Sequence, residues 1–303
     1  MSVFNERIEW LRESVNSILN QTYRDFEFII IVDNPFIDGD KKSYLLNMAQ
    51  EDDRIVVVLN ESNIGLAQSL NKGICLSKGT FIARMDADDV SDECRLEKEM
   101  DFMLKTNADM VSTNGVVIDD NSNYIRDMSC KPFNPAELLP FANVILHPSV
   151  LIKKSVLECE GLYRNFRRSQ DYDLWLRLLT GGYSMRILDM PLIRYRISSS
   201  NLTNSNRLEQ YYTHLYQLRL FRERKKTGFD SYSDDDFNNY LVSKRITAKK
   251  NKRCQRCFSH LEKANFLKKN GKFYAHEVFL AFFIFPSIVL RSFRNHFHKT
   301  KSF

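Results

Sequence analysis

The spacing of apolar residues changes several times along the first 105 positions. Within residues 6–20, Ile8, Leu11, Val15, Ile18 and Leu19 recur at three- and four-residue intervals, which predicts a helix. A polar turn at 21–25 leads into Phe26-Glu27-Phe28-Ile29-Ile30-Ile31-Val32, a strand apolar enough to be buried on both faces, ending on Asp33. The pattern then predicts helix over 41–50, strand over 54–59, a turn at Asn63-Ile64-Gly65, helix over 66–77 and strand over 80–85. Helix follows over 91–105, with Ser91 as its N-cap, and then strand over 110–118. Strand and helix alternating in this way predict a parallel sheet covered by helices.

The middle third is less regular. Pro132, Pro135, Pro140 and Pro148 interrupt it. Residues 171–179 form an amphipathic helix with Leu174, Trp175 and Leu178 on one face, and two short strands follow over 185–188 and 192–197. From Asn206 onward the pattern is helical, basic and free of strands, broken by a turn at 233–236. The expected organisation is therefore an α/β domain over 1–200 and a basic helical region over 201–303.

Ligands of such sheets sit at the carboxyl ends of the strands. Asp33 closes one predicted strand, and the strand over 80–85 runs into Asp86-Ala87-Asp88-Asp89. Carboxylates one residue apart on a rigid strand end suit a hard divalent cation, which takes oxygen ligands and leaves places for phosphate oxygens. An isolated Asp-x-Asp reads equally as an acidic turn, and Asp171 reads equally as the N-cap of its helix.

Charge divides the chain. Residues 1–200 hold 23 Lys and Arg against 30 Asp and Glu, whereas residues 201–303 hold 21 against 8. The first part suits metal chemistry; the second suits an anionic surface, and no nucleic-acid-binding module accompanies it. At 43% hydrophobic residues, global disorder is excluded. Six scattered cysteines fit reduced thiols of a cytosolic protein, and no secretory signal pattern opens the chain. Cys254, Cys257, His260 and His276 do not reach zinc-finger spacing. The long apolar run, residues 278–290, is interrupted by Pro286 and falls short of the roughly 20 residues of a spanning helix.

Four stretches occur in order: Ser17-Ile18-Leu19-Asn20-Gln21-Thr22-Tyr23 leading to Ile31-Val32-Asp33; Asn63-Ile64-Gly65-Leu66 with Asn71-Lys72-Gly73; Ala83-Arg84-Met85-Asp86-Ala87-Asp88-Asp89; and Ser169-Gln170-Asp171-Tyr172-Asp173-Leu174-Trp175. Over residues 1–197 they resemble glycosyltransferase family 2, inverting enzymes of the GT-A fold. The resemblance implies a nucleotide-diphosphate sugar donor contacted by Asp33, Asp86, Arg84 and Asn63. It implies Mn²⁺ or Mg²⁺ on Asp88 and Asp86, and Asp171 as the base that deprotonates the acceptor. The sequence also departs from the family. Met1 to Asn5 matches only the end of the usual first strand, Asn34 replaces a second Asp, Leu70 stands in place of a common arginine, and Gln170 replaces an acid. The Gln-x-x-Arg-Trp signature of processive synthases is absent, so a single transfer is expected.

Basic residues over 244–269 beside the aromatic run 273–293 suggest an interfacial membrane contact, the alternative being a helical extension packed on protein. With the resemblance, this points to a glycan or lipid-diphosphate acceptor and to a cytoplasmic protein, peripheral on the inner face of a bacterial membrane. Two other readings remain at this stage: an inactive partner that keeps the fold, and a sugar nucleotidyltransferase, for which a glycine-rich phosphate loop is lacking.

Overall fold

In the computed structural model, which describes residues 1–128, 135–197 and 206–292, two separate sheets organise the first 197 residues. Cys130, Pro132, Phe293 and the expected boundary at 200/201 lie outside the described residues. The chain divides into one unit of Met1–Ala136 with Val144–Ser198, and a second of Glu137–Asn143 with Ser199–Phe303.

In the first unit, β1 (Ser2–Val3), β2 (Phe28–Val32) and β3 (Ile55–Leu59) form a parallel sheet. Helix α1 (Ile8–Leu19) lays Leu11, Val15, Ile18 and Leu19 on this core, where Phe28, Ile30 and Val32 are buried. Burying side chains of this kind stabilises by roughly 1.5–3 kcal/mol each. Helices α1 and α2 (Gly39–Glu51) provide the crossovers that the parallel strands require, and α3 (Leu66–Leu76) leads from β3 to the second sheet.

The second sheet is mixed. β4 (Phe81–Ala83) pairs antiparallel with β8 (Leu151–Lys153), and β8 with β6 (Met110–Ile118); β9 (Met185–Arg196) lies parallel to β6 and carries β5 (Val90–Ser91) on its other edge. β7 (Tyr124–Met128) also pairs with β6. Helices α4 (Arg95–Thr106), α5 (Lys154–Cys159) and α6 (Gln170–Thr180) complete the unit. Gly115 allows the close contact of β6 with β9, because a Cβ there would lie 2.7 Å from the Ile193 carbonyl oxygen.

Two sequence expectations change. Ser91 does not cap a helix: it belongs to β5, its amide donates to Ser17 Oγ at 3.0 Å, and α4 starts at Arg95. The two short strands are one, β9, with Pro191 tolerated where the register with β6 shifts.

β1 has two residues. Below it, a mostly apolar cleft of about 800 Å³ separates β2 from β4, lined by Met1, Ile29, Ile82 and Tyr163 among others. The Met1 ammonium donates to the Ile29 carbonyl at 2.9 Å, and burial, then Arg84, lowers its pKa to about 5. None of Asp33, Asp86, Asp88 or Asp171 lines this cleft, so its size does not make it the site of chemistry.

The second unit is helical among its described residues: α7 (Arg207–Thr227), α8 (Asp234–Ser243), α9 (Ala248–Lys269) and α10 (Ala275–Ile284). The segment read as a turn at 233–236 is the start of α8, where Ser233 Oγ accepts from the Asp236 amide at 3.0 Å. Cys254 and Cys257 are buried in an apolar cluster with Leu208, Ala281, Ile288 and Val289, and burial pushes both thiols up to about 11. His260 and His276 both contact Glu277, at 2.6 and 3.1 Å. No helix of the described residues is long and apolar enough to cross a membrane.

Candidate active site

β1 lies between the two acidic strand ends. Val3 pairs with Val32 and accepts from the Asp33 amide at 2.7 Å, while Ser2 bridges to Asp86 on its other side. Asp33 and Asp86 therefore lie on opposite sides of one short strand, offset along it by two residues, because Ser2 is level with both Ile31 and Asp86. The Asp33 carboxylate is buried and organised: Oδ1 accepts from Asn60 Nδ2 at 2.8 Å and the Ile64 amide at 2.9 Å, and Oδ2 from the Gly65 amide at 2.8 Å. Gly65 supplies the turn with φ +84°, a region that favours glycine. Asn63 is exposed on this loop and accepts from the Gly65 amide at 3.0 Å.

The acidic loop is the electrostatic centre. One carboxylate oxygen from each of Asp86, Asp88 and Asp89 lies within 4.8 Å of the others. Burial, then repulsion from Asp86 and Glu6, pushes the Asp88 carboxyl up to about 7. Asp89, fully buried, is raised well above the carboxylate range by the same burial and by Asp88 and Asp86. Its Oδ1 accepts from the Arg196 amide at 2.8 Å, whereas its buried Oδ2 has no hydrogen-bond partner. Three mutually repelling carboxylates with an unpartnered oxygen fit a divalent cation, whose charge reverses this repulsion.

Two arginines brace the loop. Arg84 is buried and ion-paired with Asp86; burial works against its charge and Asp86 more than restores it. Arg196, on β9, is also buried; its Nε donates to the Asp88 carbonyl at 2.8 Å, and its guanidinium pairs with Glu13 and lies 5.2 Å from the Trp10 ring centre.

Asp171 lies half-buried in the first turn of α6. Ser169, with φ 56°, is the N-cap, so Asp171 does not occupy the capping position. The helix is fixed from behind. Trp175 is fully buried and meets the His147 ring edge-on at 5.8 Å. His147 Nε2 lies 2.9 Å from the Tyr163 hydroxyl, and burial, then Arg84, holds His147 well below the usual imidazole range, so it is neutral. Asp173 is fully buried, 2.9 Å from Arg177 and 3.6 Å from Arg164.

Two phenols, Tyr163 and Tyr195, sense the charge of Asp171 and of the acidic loop. Burial is the main reason the Tyr163 phenol is raised, with Asp171 and Asp86 adding to it and Arg84 and Arg177 opposing. Tyr195, half-buried on β9, is raised by burial, then by Asp89, Asp86, Asp88 and Asp171. Both phenols thus feel Asp171 together with the acidic loop. Sequence reasoning missed Tyr163, Tyr195, Asn60, Glu6 and Arg196. No spacing rule joins Tyr163 or Tyr195 to the acidic loop; only the strand pairing of β9 and the His147 contact do.

Fold and site together define an α/β protein with a cluster of carboxylates, Asp86, Asp88 and Asp89, following the strand β4. The chain belongs to glycosyl transferase family 2, whose sequence profile matches residues 1–160. It is 37% identical over 221 residues to the O-antigen biosynthesis glycosyltransferase WbnJ of Escherichia coli, covering 71% of this chain and 85% of that protein. It is 32% identical over 232 residues to the uncharacterized glycosyltransferase MJ1057 of Methanocaldococcus jannaschii, covering 75% and 79%. In fold it is similar to S. aureus TarS 1-349 in complex with UDP-GlcNAc, with TM-score 0.59, 12% identity, and 80% and 70% of the two chains covered.

Proposed function

We propose that this glycosyltransferase moves a sugar from a nucleotide-diphosphate donor, a UDP-hexose or UDP-N-acetylhexosamine, to a lipid-linked or oligosaccharide acceptor with inversion, in the synthesis of a bacterial surface polysaccharide. The observation that carries this reading is the acidic loop, where one carboxylate oxygen from each of Asp86, Asp88 and Asp89 lies within 4.8 Å of the others and a buried Asp89 oxygen has no hydrogen-bond partner. The WbnJ relative, named for O-antigen biosynthesis, supports the polysaccharide role, and UDP-GlcNAc in the TarS structure supports the donor class.

Asp171 takes the proton from the acceptor hydroxyl as that oxygen attacks the anomeric carbon from the face opposite the diphosphate. One displacement inverts the centre, so an α-linked donor yields a β-linkage. Asp33 and Asn63 hold the nucleoside end of the donor; three of the roughly four lone-pair positions on Asp33 are filled within the protein, which leaves about one for the base. Arg84 acts on the donor through Asp86, whose orientation it fixes toward the ribose and the cation. A Mn²⁺ or Mg²⁺ ion on Asp88, Asp86 and Asp89 would supply charge neutralisation at the departing diphosphate.

Purified protein incubated with Mn²⁺ and a panel of UDP-, GDP- and dTDP-sugars tests the proposal. It should release nucleoside diphosphate from one UDP-sugar class, faster when a lipid-linked acceptor is added. Donor binding with no release would assign the protein to the inactive-partner class, and pyrophosphate release from a nucleoside triphosphate and a sugar phosphate would make it a nucleotidyltransferase.

A further inference from the structure

The second unit presents an aromatic face that its own core does not use. At about 100° per residue, α10 turns Glu277 and Ala281 inward, where they are buried, and turns Phe279, Leu280, Phe282 and Phe283 outward. Phe279 and Phe283 are 62% and 66% exposed, and their rings meet edge-to-face at 4.6 Å. Phe282 is 6.4 Å from Phe283 and extends the patch. Large aromatic side chains left together in water mark a contact surface rather than ordinary surface scatter.

The helix is anchored by ion pairs and a buried core. Glu277 anchors α10 to α9 through His260 and Lys263, and burial of Ile288 and Val289 beside Cys254 and Cys257 closes the core behind it. Its surroundings are strongly basic: residues 244–272 contain eleven Lys and Arg and a single acid, Glu262. Lys263 and Arg253 reach α10 itself, the first at Glu277 and the second at the Ile284 carbonyl, 2.9 Å away.

We infer that this face of α10 docks on an anionic lipid bilayer, with Phe279, Phe282 and Phe283 entering the boundary between headgroups and acyl chains and the basic residues of α9 meeting the headgroup charge. A second copy of the chain is the weaker fit, because a two-fold contact would bring two such basic segments together. Spanning is excluded for this helix by length: ten residues rise about 15 Å, half of a hydrocarbon core. The inference stands apart from the catalytic reading, since none of its residues belongs to the acidic site.

Vesicle co-sedimentation of the full chain tests it. The protein should sediment with vesicles of phosphatidylcholine and phosphatidylglycerol, bind phosphatidylcholine alone at least about tenfold more weakly, and release as salt rises. The Phe279→Ser/Phe283→Ser variant should lose at least about tenfold in affinity for the anionic vesicles with donor hydrolysis in solution unchanged, which also shows that it folds. Failure of the wild-type chain to sediment with anionic vesicles would overturn the inference. So would equal binding by the variant, or a dimer in analytical ultracentrifugation that the variant abolishes while no vesicle binding is seen.

Discussion

The backbone amide of Arg196 donates to Asp89 Oδ1 at 2.8 Å, although the two residues are 107 positions apart. This bond sets the last residue of the acidic loop against β9, and the Arg196 side chain holds the same loop at the Asp88 carbonyl. An Arg196→Met protein keeps the amide but loses the side-chain contacts to Asp88, Asp119 and Glu13. Because Glu13 is 44% exposed, water screens much of that pair. The two freed carbonyls make a loss of roughly 1–3 kcal/mol the expected result in urea denaturation. The Mn²⁺ concentration for half-maximal activity should rise as well, whereas a purely structural role would leave it unchanged.

Asp33→Asn tests the loop that Asp33 organises. An amide offers one acceptor oxygen where the carboxylate offers two, so the Gly65 amide would face an NH₂ donor. Urea denaturation should show a loss of about 1–3 kcal/mol, and calorimetric titration should show weaker donor affinity. Unchanged donor affinity would remove Asp33 from the nucleoside end of the site.

Glu99 supplies a pH test. It is fully buried, neither oxygen has a hydrogen-bond partner, and burial pushes its carboxyl up to about 8 against the opposing pull of Arg95. Its folded pKa exceeds the unfolded value, so the folded protein holds the extra proton between about pH 4.5 and 8. Its contribution to stability therefore falls as pH rises through that window. The Met1 ammonium, lowered to about 5, works in the opposite direction over pH 5 to 8, so the informative quantity is the difference between two proteins. Glu99→Gln should gain stability relative to the wild type from pH 5 to pH 8, by on the order of a few kcal/mol. Parallel stability curves for the two proteins would contradict the assignment.

What the sequence revealed was local. The apolar run of β2, the helical spacing of α1 and α3, and the acid-ended strand β4 each carry their signal within a few residues, and all four appear where the pattern places them. The errors came from distant partners. Ser91 has a good capping side chain, but the Ser17 hydroxyl and Gln21 recruit it to β5. The strands expected over 185–188 and 192–197 are one, because Pro191 falls at a register shift with β6, which is a property of the pair. The start of α8 was an avoidable miss, since Ser233 followed by three acids is a helix-start pattern. In the site, Asp33, Asp86, Asp88 and Asp171 were legible as motifs, while Tyr163, Tyr195 and Arg196 enter only through the tertiary fold.

The most direct measurement is a comparison of Asp171→Asn with the wild type, reading donor affinity in Mn²⁺ by calorimetry and sugar transfer on the same preparations. Loss of a general base should lower transfer by at least ~100-fold while donor affinity stays within a few-fold of wild type. Transfer at near wild-type rates, or collapse of donor binding in place of turnover, would contradict the role given to Asp171.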